Sequence, residues 1–105
     1  MRLVSRFAVV WQFTIRPDRK HQFETTYGPN GAWAVLFARA RGYRGTELLH
    51  STTEPHTYFT IDRWESEAAF DKFQTKYAAE YKQLDSECEG LTESETKIGC
   101  FVPRD

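Results

Sequence analysis

Four side chains that could act together on a small molecule recur at every second position of one short segment. They are Tyr58, Thr60, Asp62 and Trp64, in the stretch "YFTIDRW". Because successive residues of a β-strand point to opposite faces, a strand here would place all four on one face. A carboxyl group held against aromatic surface has a raised pKa, which suits a general base. Asp62 and Trp64 are therefore candidate catalytic residues, and Tyr58 and Thr60 are candidate substrate-binding residues.

A purely structural role is open for both candidate catalytic residues. Asp62 could form an ion pair with Arg44 or Arg63, and Trp64 could simply fill the end of a sheet. The two interpretations differ in where the carboxylate of Asp62 lies. A reactive carboxylate would be buried against a cavity, whereas a structural one would pair with an arginine at the surface.

Further candidate substrate-binding residues lie on two other segments. Gln12 and Thr14 are polar positions in the alternating, otherwise apolar stretch Phe7–Ile15, which reads as a strand. They could orient a carbonyl or hydroxyl group of a substrate, or they could meet water and a partner strand. Phe73 and Tyr77 fall on the apolar face of a later helix, where they could form a pocket wall or belong to the core.

The histidines and cysteines do not indicate a metal site. His50 and His56 flank a turn, but catalytic zinc usually has three protein ligands, so we expect ordinary histidines at strand ends. Cys88 and Cys100 lack metal-ligand or disulfide-scaffold spacing, and Cys88 is predicted to be a buried, unreactive thiol. We expect no metal and no cofactor.

The order of predicted elements indicates an α+β fold. Apolar residues spaced three and four apart predict one continuous helix after the cap Ser66, and they are Phe70, Phe73, Tyr77, Tyr81, Leu84 and Cys88. The full prediction is a strand at 7–15, a helix after Pro17, a short helix ending at Gly42, strands at 43–51 and 56–64, the helix at 66–88 and a strand at 92–102. This βαββαβ order is typical of the ferredoxin-like fold, a four-stranded antiparallel sheet with helices on one face.

Length and charge restrict the possible partners. We expect residues 1–105 to form a single domain. With 14 basic and 15 acidic residues, the net charge of −1 argues against nucleic acid as a partner. No apolar segment approaches the roughly 18 residues that span a membrane, and no signal-peptide cleavage site follows the N-terminal apolar run. We expect a soluble, cytoplasmic protein.

The second face of the predicted sheet has no helix to cover it. Its side chains, among them Val10 and Gln12, are too mixed in polarity for a fully solvated surface. Aromatic residues make up 15% of the chain, which also favours a buried interface or a lined cavity. We expect a homodimer that forms through this open sheet face.

Four sequence stretches resemble the antibiotic biosynthesis monooxygenase (ABM) superfamily. They are "FTIRPDRKHQFETTYGP", "GYRGTELL", "TTEPHTYFTIDRW" and "WESEAAFDKF", and the resemblance extends over roughly residues 7–101. It implies a dimeric α/β barrel with an ABM domain. The superfamily includes cofactor-independent oxygenases of aromatic polyketides and quinols, haem-degrading enzymes and signal-molecule processors, so the resemblance indicates the architecture more closely than the reaction.

The resemblance can be carried over to individual positions. Trp64 matches the family tryptophan at the end of the third strand, and Asp62 stands where many members have a glutamate. Many members place a histidine on the following helix, where this chain has Phe73. No histidine follows His56, so a haem-degrading activity is disfavoured.

The resemblance and the residues together predict an oxidoreductase, a cofactor-independent monooxygenase acting on a small aromatic or quinol-type molecule. Asp62 would be the base or orienting group and Trp64 a pocket wall. The alternative is a non-catalytic module, a dimeric barrel that binds a small apolar or aromatic ligand or serves a structural role. Loss of the helix histidine is a feature that such a member could show.

Overall fold

A computed structural model describes residues 5–104 and contains the predicted elements in the predicted order. The strands form one sheet in the order β2-β3-β1-β4, and every neighbouring pair is antiparallel. This arrangement confirms the α+β, ferredoxin-like fold. Its elements are β1 (Phe7–Ile15), α1 (Lys20–Tyr27), α2 (Ala32–Phe37), β2 (Tyr43–His50), β3 (Thr57–Trp64), α3 (Glu67–Lys76), α4 (Ala78–Glu87) and β4 (Thr92–Phe101), with short 3-10 turns at Pro17–Arg19 and Glu89–Leu91.

The core lies between the helices and one face of the two central strands. Every second residue of β3 is buried, from Tyr58 to Trp64. The pairing of β3 with β1 sets Trp64 opposite Phe7 and Asp62 opposite Val9, so the polar candidates share a face with the apolar side of β1. Burial of that apolar side is the main favourable contribution to folding.

The helix predicted from residue 66 to residue 88 is two helices. Ser66 caps α3 as predicted, because its Oγ accepts a hydrogen bond from the Ala69 backbone N–H at 3.1 Å. The chain then bends at Tyr77, which has φ −112° and ψ 26° and separates α3 from α4. The bend corrects the prediction of one continuous helix. It lets α3 pack Phe73 on Trp64 while α4 packs Tyr81 on Trp33.

One glycine sets the distance between the sheet and α3. A Cβ atom at Gly42 would lie 2.3 Å from the Cβ of Ala69, closer than two carbon atoms can approach. The Gly42 carbonyl also accepts a hydrogen bond from the Glu65 N–H at 2.7 Å. The segment that precedes β2 is thereby fixed against the end of β3, next to Trp64.

The sheet face opposite the helices carries apolar side chains that are only partly covered. Val10, Phe59 and Ile61 are half-buried there, and Leu49 and Phe101 are 44% and 48% exposed. Polar residues accompany them on the same face, Gln12 and Thr14 among them. Separately, none of the helices within residues 5–104 has the length and apolar character that crossing a membrane needs.

Candidate active site

A small cavity lies between the helix-covered face of the sheet and helices α2 and α4. Its volume is about 40 Å³, which is room for about three water molecules. Aromatic side chains form most of its wall, and the other lining residues are two threonines and three acids. The lining residues are Trp11, Phe13, Tyr27, Trp33, Phe37, Thr46, Thr60, Asp62, Tyr81, Asp85 and Glu95.

Asp62 lies in the buried part of this cavity. Its side chain is 8% exposed, and its Oδ1 accepts a hydrogen bond from the Thr46 Oγ1 at 2.7 Å. That bond uses the one hydroxyl proton of Thr46, so the Tyr43 hydroxyl donates to the Thr46 Oγ1 at 2.6 Å. A relay of two hydroxyl groups therefore ends on the carboxylate and holds its orientation.

The backbone of β2 sets Thr46 opposite Asp62. The two residues are direct partners in the β2–β3 pairing, and the register shifts just before them, between Tyr43 and Gly45. Gly45 has a φ of +115°, which L-residues with a side chain rarely adopt. The irregularity at Gly45 is what brings Tyr43 and Thr46 close enough for their hydroxyl groups to bond.

No arginine pairs with Asp62 among the described residues. Arg44 lies 3.5 Å from a carboxylate oxygen of Glu65, and Arg63 lies 2.8 Å from one of Glu47. Burial therefore raises the pKa of Asp62 from its ordinary 3.8 to about 6, although the Thr46 hydrogen bond lowers it. The ion-pair interpretation of Asp62 is wrong for both arginines, and the carboxylate is buried against a cavity.

Trp64 lies behind the cavity rather than in its wall. The side chain is completely buried, and its ring centroid lies 5.2 to 5.6 Å from those of four aromatic neighbours, Phe37, Tyr43, Phe70 and Phe73. The packing interpretation of Trp64 therefore describes its place in the fold. Its contact with Tyr43 connects it to the hydroxyl relay that ends on Asp62.

Among the other residues predicted for substrate binding, only Thr60 lines the cavity with Asp62. Tyr58 is buried on the same strand face, but its hydroxyl donates to the Glu24 carboxylate and its ring stacks on His50. His50 in turn donates from Nε2 to the Pro55 carbonyl at 2.8 Å.

Gln12 and Thr14 lie on the opposite face of the sheet, because they alternate with Phe13, which faces the core. They therefore do not line the cavity of Asp62, and their contact with a substrate stays a prediction. Phe73 is buried between Phe37 and Trp64 and does not reach the cavity either.

Tyr77 completes the set of predicted residues and also lies away from the cavity. Its ring stacks on Phe73, and its hydroxyl donates to the Arg39 carbonyl at 3.3 Å. The core interpretation fits both Phe73 and Tyr77. Neither residue lines this cavity, so the prediction that they form its wall is wrong.

Sequence reasoning missed most of the lining residues. Trp33 and Phe37 belong to the hydrophobic core, and both also line the cavity. Asp85 and Glu95 carry no sequence signal, because an acid on an exposed helix or an edge strand is ordinary. Thr46 could have been predicted from the sequence, because pairing of the two predicted strands places it beside Asp62.

The Trp33 indole is a buried polar group without a hydrogen bond. Trp33 is 8% exposed, and its Nε1–H has no partner within hydrogen-bonding geometry. Trp33 is a weak hydrogen-bond donor to the Tyr27 hydroxyl and the Cys88 sulfur, which by itself lowers the pKa of both groups, although neither contact reaches full hydrogen-bond geometry. An acceptor on a bound molecule would give this donor a better partner.

The titratable groups around the cavity are acids and phenols. Burial and, in decreasing order of size, the charges of Asp85, Glu95 and Asp62 together raise the pKa of Tyr81 to about 12. Burial and Asp85 raise the pKa of Glu95 as well. Within residues 5–104, histidine, cysteine and acidic side chains form no group of three or more suited to a metal ion. Cys88 is buried, as predicted, and burial raises the pKa of its thiol.

Comparison with known proteins agrees with this fold. Residues 6–83 match the family described as antibiotic biosynthesis monooxygenase. A variant of SnoaB, a cofactor-independent oxygenase from Streptomyces nogalater, superposes with a TM-score of 0.71 at 20% identity, covering 97% of this chain and 96% of its own. A monooxygenase from the gene ActVA-Orf6 of Streptomyces coelicolor, in complex with nanaomycin D, gives 0.67 at 21% identity, covering 96% and 89%.

A further structure, PA3566 from Pseudomonas aeruginosa, gives a TM-score of 0.68 at 13% identity and covers 100% of both chains. No curated protein sequence matches the chain. At such identities the superpositions show a shared fold, whereas the family match covers most of the chain at the level of sequence. The chain therefore belongs to the antibiotic biosynthesis monooxygenase family.

Proposed function

We propose that the protein is a cofactor-independent monooxygenase whose substrate is a small aromatic or quinol-type molecule and whose general base is Asp62. The observation that carries the proposal is a buried carboxylate that lines an aromatic cavity and has no arginine partner within residues 5–104. A pKa of about 6 leaves most of this carboxyl group ionised at neutral pH and still able to accept a proton. The family match and the similarity to a cofactor-independent oxygenase support the same reaction class.

In such a reaction the substrate supplies the electrons. Asp62 removes a proton from a phenol or enol, and the resulting anion transfers electrons to dioxygen in a site that excludes water. In the balanced outcome a hydroquinone becomes a hydroxyquinone: one oxygen atom of dioxygen replaces a ring hydrogen as a hydroxyl group, and the other leaves as water. The hydroquinone supplies all four electrons. Thr46 orients the base, and Thr60 faces the substrate from the same sheet.

Trp64 has a positioning role in this proposal. It packs against Tyr43, with ring centroids 5.4 Å apart, and Tyr43 donates through Thr46 towards Asp62. A large aromatic side chain at the end of β3 thus fixes the far end of the relay. This role differs from the pocket-wall role that its type and place in the sequence predict.

Binding of an aromatic substrate requires the cavity to widen. A cavity that holds benzene has a volume of about 150 Å³, several times that of the present space. The walls best able to move are Trp11 and Tyr81, which are half-buried and lie towards the outside. The bend at Tyr77 places Tyr81 on a short helix of its own, so a shift of α4 can open the cavity without moving α3.

We also propose that the protein is a homodimer formed through the open sheet face. Leu49 and Phe101 are among the large apolar side chains that this face leaves exposed, and Phe59 and Ile61 lie half-covered near the middle of the sheet. Partial exposure of several large apolar side chains on one flat surface is typical of an interface. A second copy of the chain would bury them symmetrically.

The alternative is a non-catalytic binding module. It is favoured by one observation, that Phe73 is 1% exposed and packed in the core where many family members carry a histidine. The two functions differ in what the carboxylate of Asp62 does once a ligand is bound.

The test compares Asp62→Asn with the wild type in two assays. Oxygen consumption with a panel of hydroquinones measures turnover, and quenching of tryptophan fluorescence under anaerobic conditions measures binding. Asp71→Asn, the same chemical change at an exposed position of α3, is the matched control. We expect Asp62→Asn to bind its ligand but to lose turnover by about 10²–10⁴-fold. Unchanged turnover would remove Asp62 as the base, and binding without turnover in the wild type would favour the alternative.

A further inference from the structure

All of the charged side chains that line the cavity are acidic. Asp62 lies inside, and Asp85 on α4 and Glu95 on β4 lie at its exposed rim. No lysine or arginine within residues 5–104 lines it. Lys97, which pairs with Trp11 of the cavity wall, is held over the ring of Phe70, 5.9 Å from its centroid. The electrostatic potential inside the cavity is therefore negative, which disfavours an anionic ligand and favours a positively charged one.

The aromatic wall suits a cation as well. Trp11, Tyr27, Trp33 and Tyr81 all border the cavity, and the faces of such rings attract ammonium groups within about 6 Å. The Tyr81 hydroxyl lies close enough to Asp85, Glu95 and Asp62 for all three charges to raise its pKa. All three carboxylates therefore line the same cavity as the Tyr81 ring. Trp33 also lines the cavity, and its buried indole N–H has no full hydrogen bond among the described residues.

The rim carboxylates also border a second, wider depression. It measures about 490 Å³ and shares Tyr27, Asp85 and Glu95 with the inner cavity. Glu89 and Glu93 extend its acidic surface, and Arg16 is the one basic residue that lines it in the described part of the chain. A ligand ring in the inner cavity can thus extend a substituent into a larger, acidic space.

We propose that the ligand is an aromatic molecule that carries a protonated amine, with its ring in the inner cavity and its ammonium group in the outer depression between Asp85 and Glu95. This inference rests on the proposed function, because it assumes that the ring occupies the cavity of Asp62. Beyond the proposed function, the inference specifies that the substrate is positively charged and that Asp85 and Glu95 recognise this charge. The ammonium group remains outside the inner cavity, so it leaves Asp62 free to accept the phenolic or enolic proton.

The test uses three naphthols that differ in one substituent, a neutral hydroxymethyl, a cationic trimethylammoniomethyl or an anionic sulfomethyl group. Quenching of tryptophan fluorescence gives the affinity of each, since Trp11 and Trp33 line the cavity. Two partly exposed charge pairs together favour the cation over the neutral naphthol by about threefold to tenfold at low salt. We expect this ratio to fall as salt is added.

A double variant, Asp85→Asn with Glu95→Gln, measures how much the two rim carboxylates contribute to binding of the cation. We expect the ratio of cationic to neutral affinity to fall to about one in this double variant. The matched control, Asp71→Asn combined with Glu54→Gln, removes the same two charges at exposed positions away from the cavity and should keep the ratio. Circular dichroism and thermal melting check that both double variants fold.

The outcomes separate this inference from the proposed function. If the neutral and cationic naphthols bind the wild type equally well, the inference is overturned and the aromatic cavity of the proposed function stands. An equal loss of the ratio in the control variant would also overturn it, because the effect would then come from net charge alone. If none of the three naphthols binds, the aromatic site itself is contradicted, and the proposed function fails together with the inference.

Discussion

Asp62→Asn should make the stability of the protein less dependent on pH. The pKa of Asp62 is about 6 in the folded chain, against an ordinary value of 3.8. Because the folded state holds this proton more tightly than the unfolded state, the carboxyl group contributes stability that is fully present below pH 3.8. That contribution is lost as pH rises through about 6. Asparagine keeps an oxygen that can accept the Thr46 hydrogen bond but has no proton to lose.

The magnitude follows from the difference between the two pKa values. Each pKa unit corresponds to 1.36 kcal/mol, so the complete effect is about 3 kcal/mol. Between about pH 4 and about pH 7 the free energy of unfolding of the wild type should fall by about 2 kcal/mol relative to that of Asp62→Asn. With a urea slope usual for a chain of this size, that difference shifts the midpoint of unfolding by about 1 M.

The assay is urea unfolding of both proteins at several pH values between these limits and at one fixed protein concentration, since a dimer unfolds in a concentration-dependent way. Asp71→Asn, at an exposed position, is the control for the loss of one negative charge. If the free energies of unfolding of Asp62→Asn and the wild type differ by the same amount at every pH, then burial does not raise the pKa of Asp62, and the reasoning is refuted. A wild type that gains stability over Asp62→Asn as pH rises would instead mean that the carboxylate has a cationic partner.

Three further predictions concern the relay, the packing of Trp64 and the open face of the sheet. Thr46→Val removes the hydrogen bond that lowers the pKa of Asp62, so an NMR titration should give a value above about 6, and an unchanged value would exclude this bond from the site. Trp64→Ala should lower the free energy of unfolding by about 3–5 kcal/mol in urea titrations, as expected for a large buried ring, and a loss below about 1 kcal/mol would contradict its burial. Ile61→Glu should convert a dimer into a monomer in native mass spectrometry, whereas Glu47→Gln, an exposed change on the same face, should not, and a persistent dimer in Ile61→Glu would place the interface elsewhere.

The fold could be predicted because its signals are periodic. The alternation from Tyr58 to Trp64 sets four residues on one face of β3, and the structure confirms that all four are buried there. The bend at Tyr77 could not be predicted, because the apolar spacing continues through it and neither glycine nor proline marks it. Periodicity shows which face of a helix is buried, but not where the helix changes direction.

The candidate site could be predicted only in part, because residues on one strand face need not border the same space. Asp62 and Thr60 line the cavity, whereas Tyr58 and Trp64, on the same face, lie beyond its two ends. The depth of a cavity depends on which helix covers each part of the sheet, and sequence patterns do not give that packing. The same limit explains Asp85 and Glu95, which meet at the rim although they lie on a helix and on an edge strand.

The most direct test of Asp62 as a general base is the pH dependence of kcat/KM for oxygen consumption, measured for the wild type with a hydroquinone that it turns over. The acid side of this profile reports the pKa of the essential base in the free protein. We expect kcat/KM to rise with pH and to level off above about 6, the pKa of the buried carboxyl group. A profile that is flat through this range, or one that levels off near the ordinary 3.8 of an exposed aspartate, would contradict the role of Asp62.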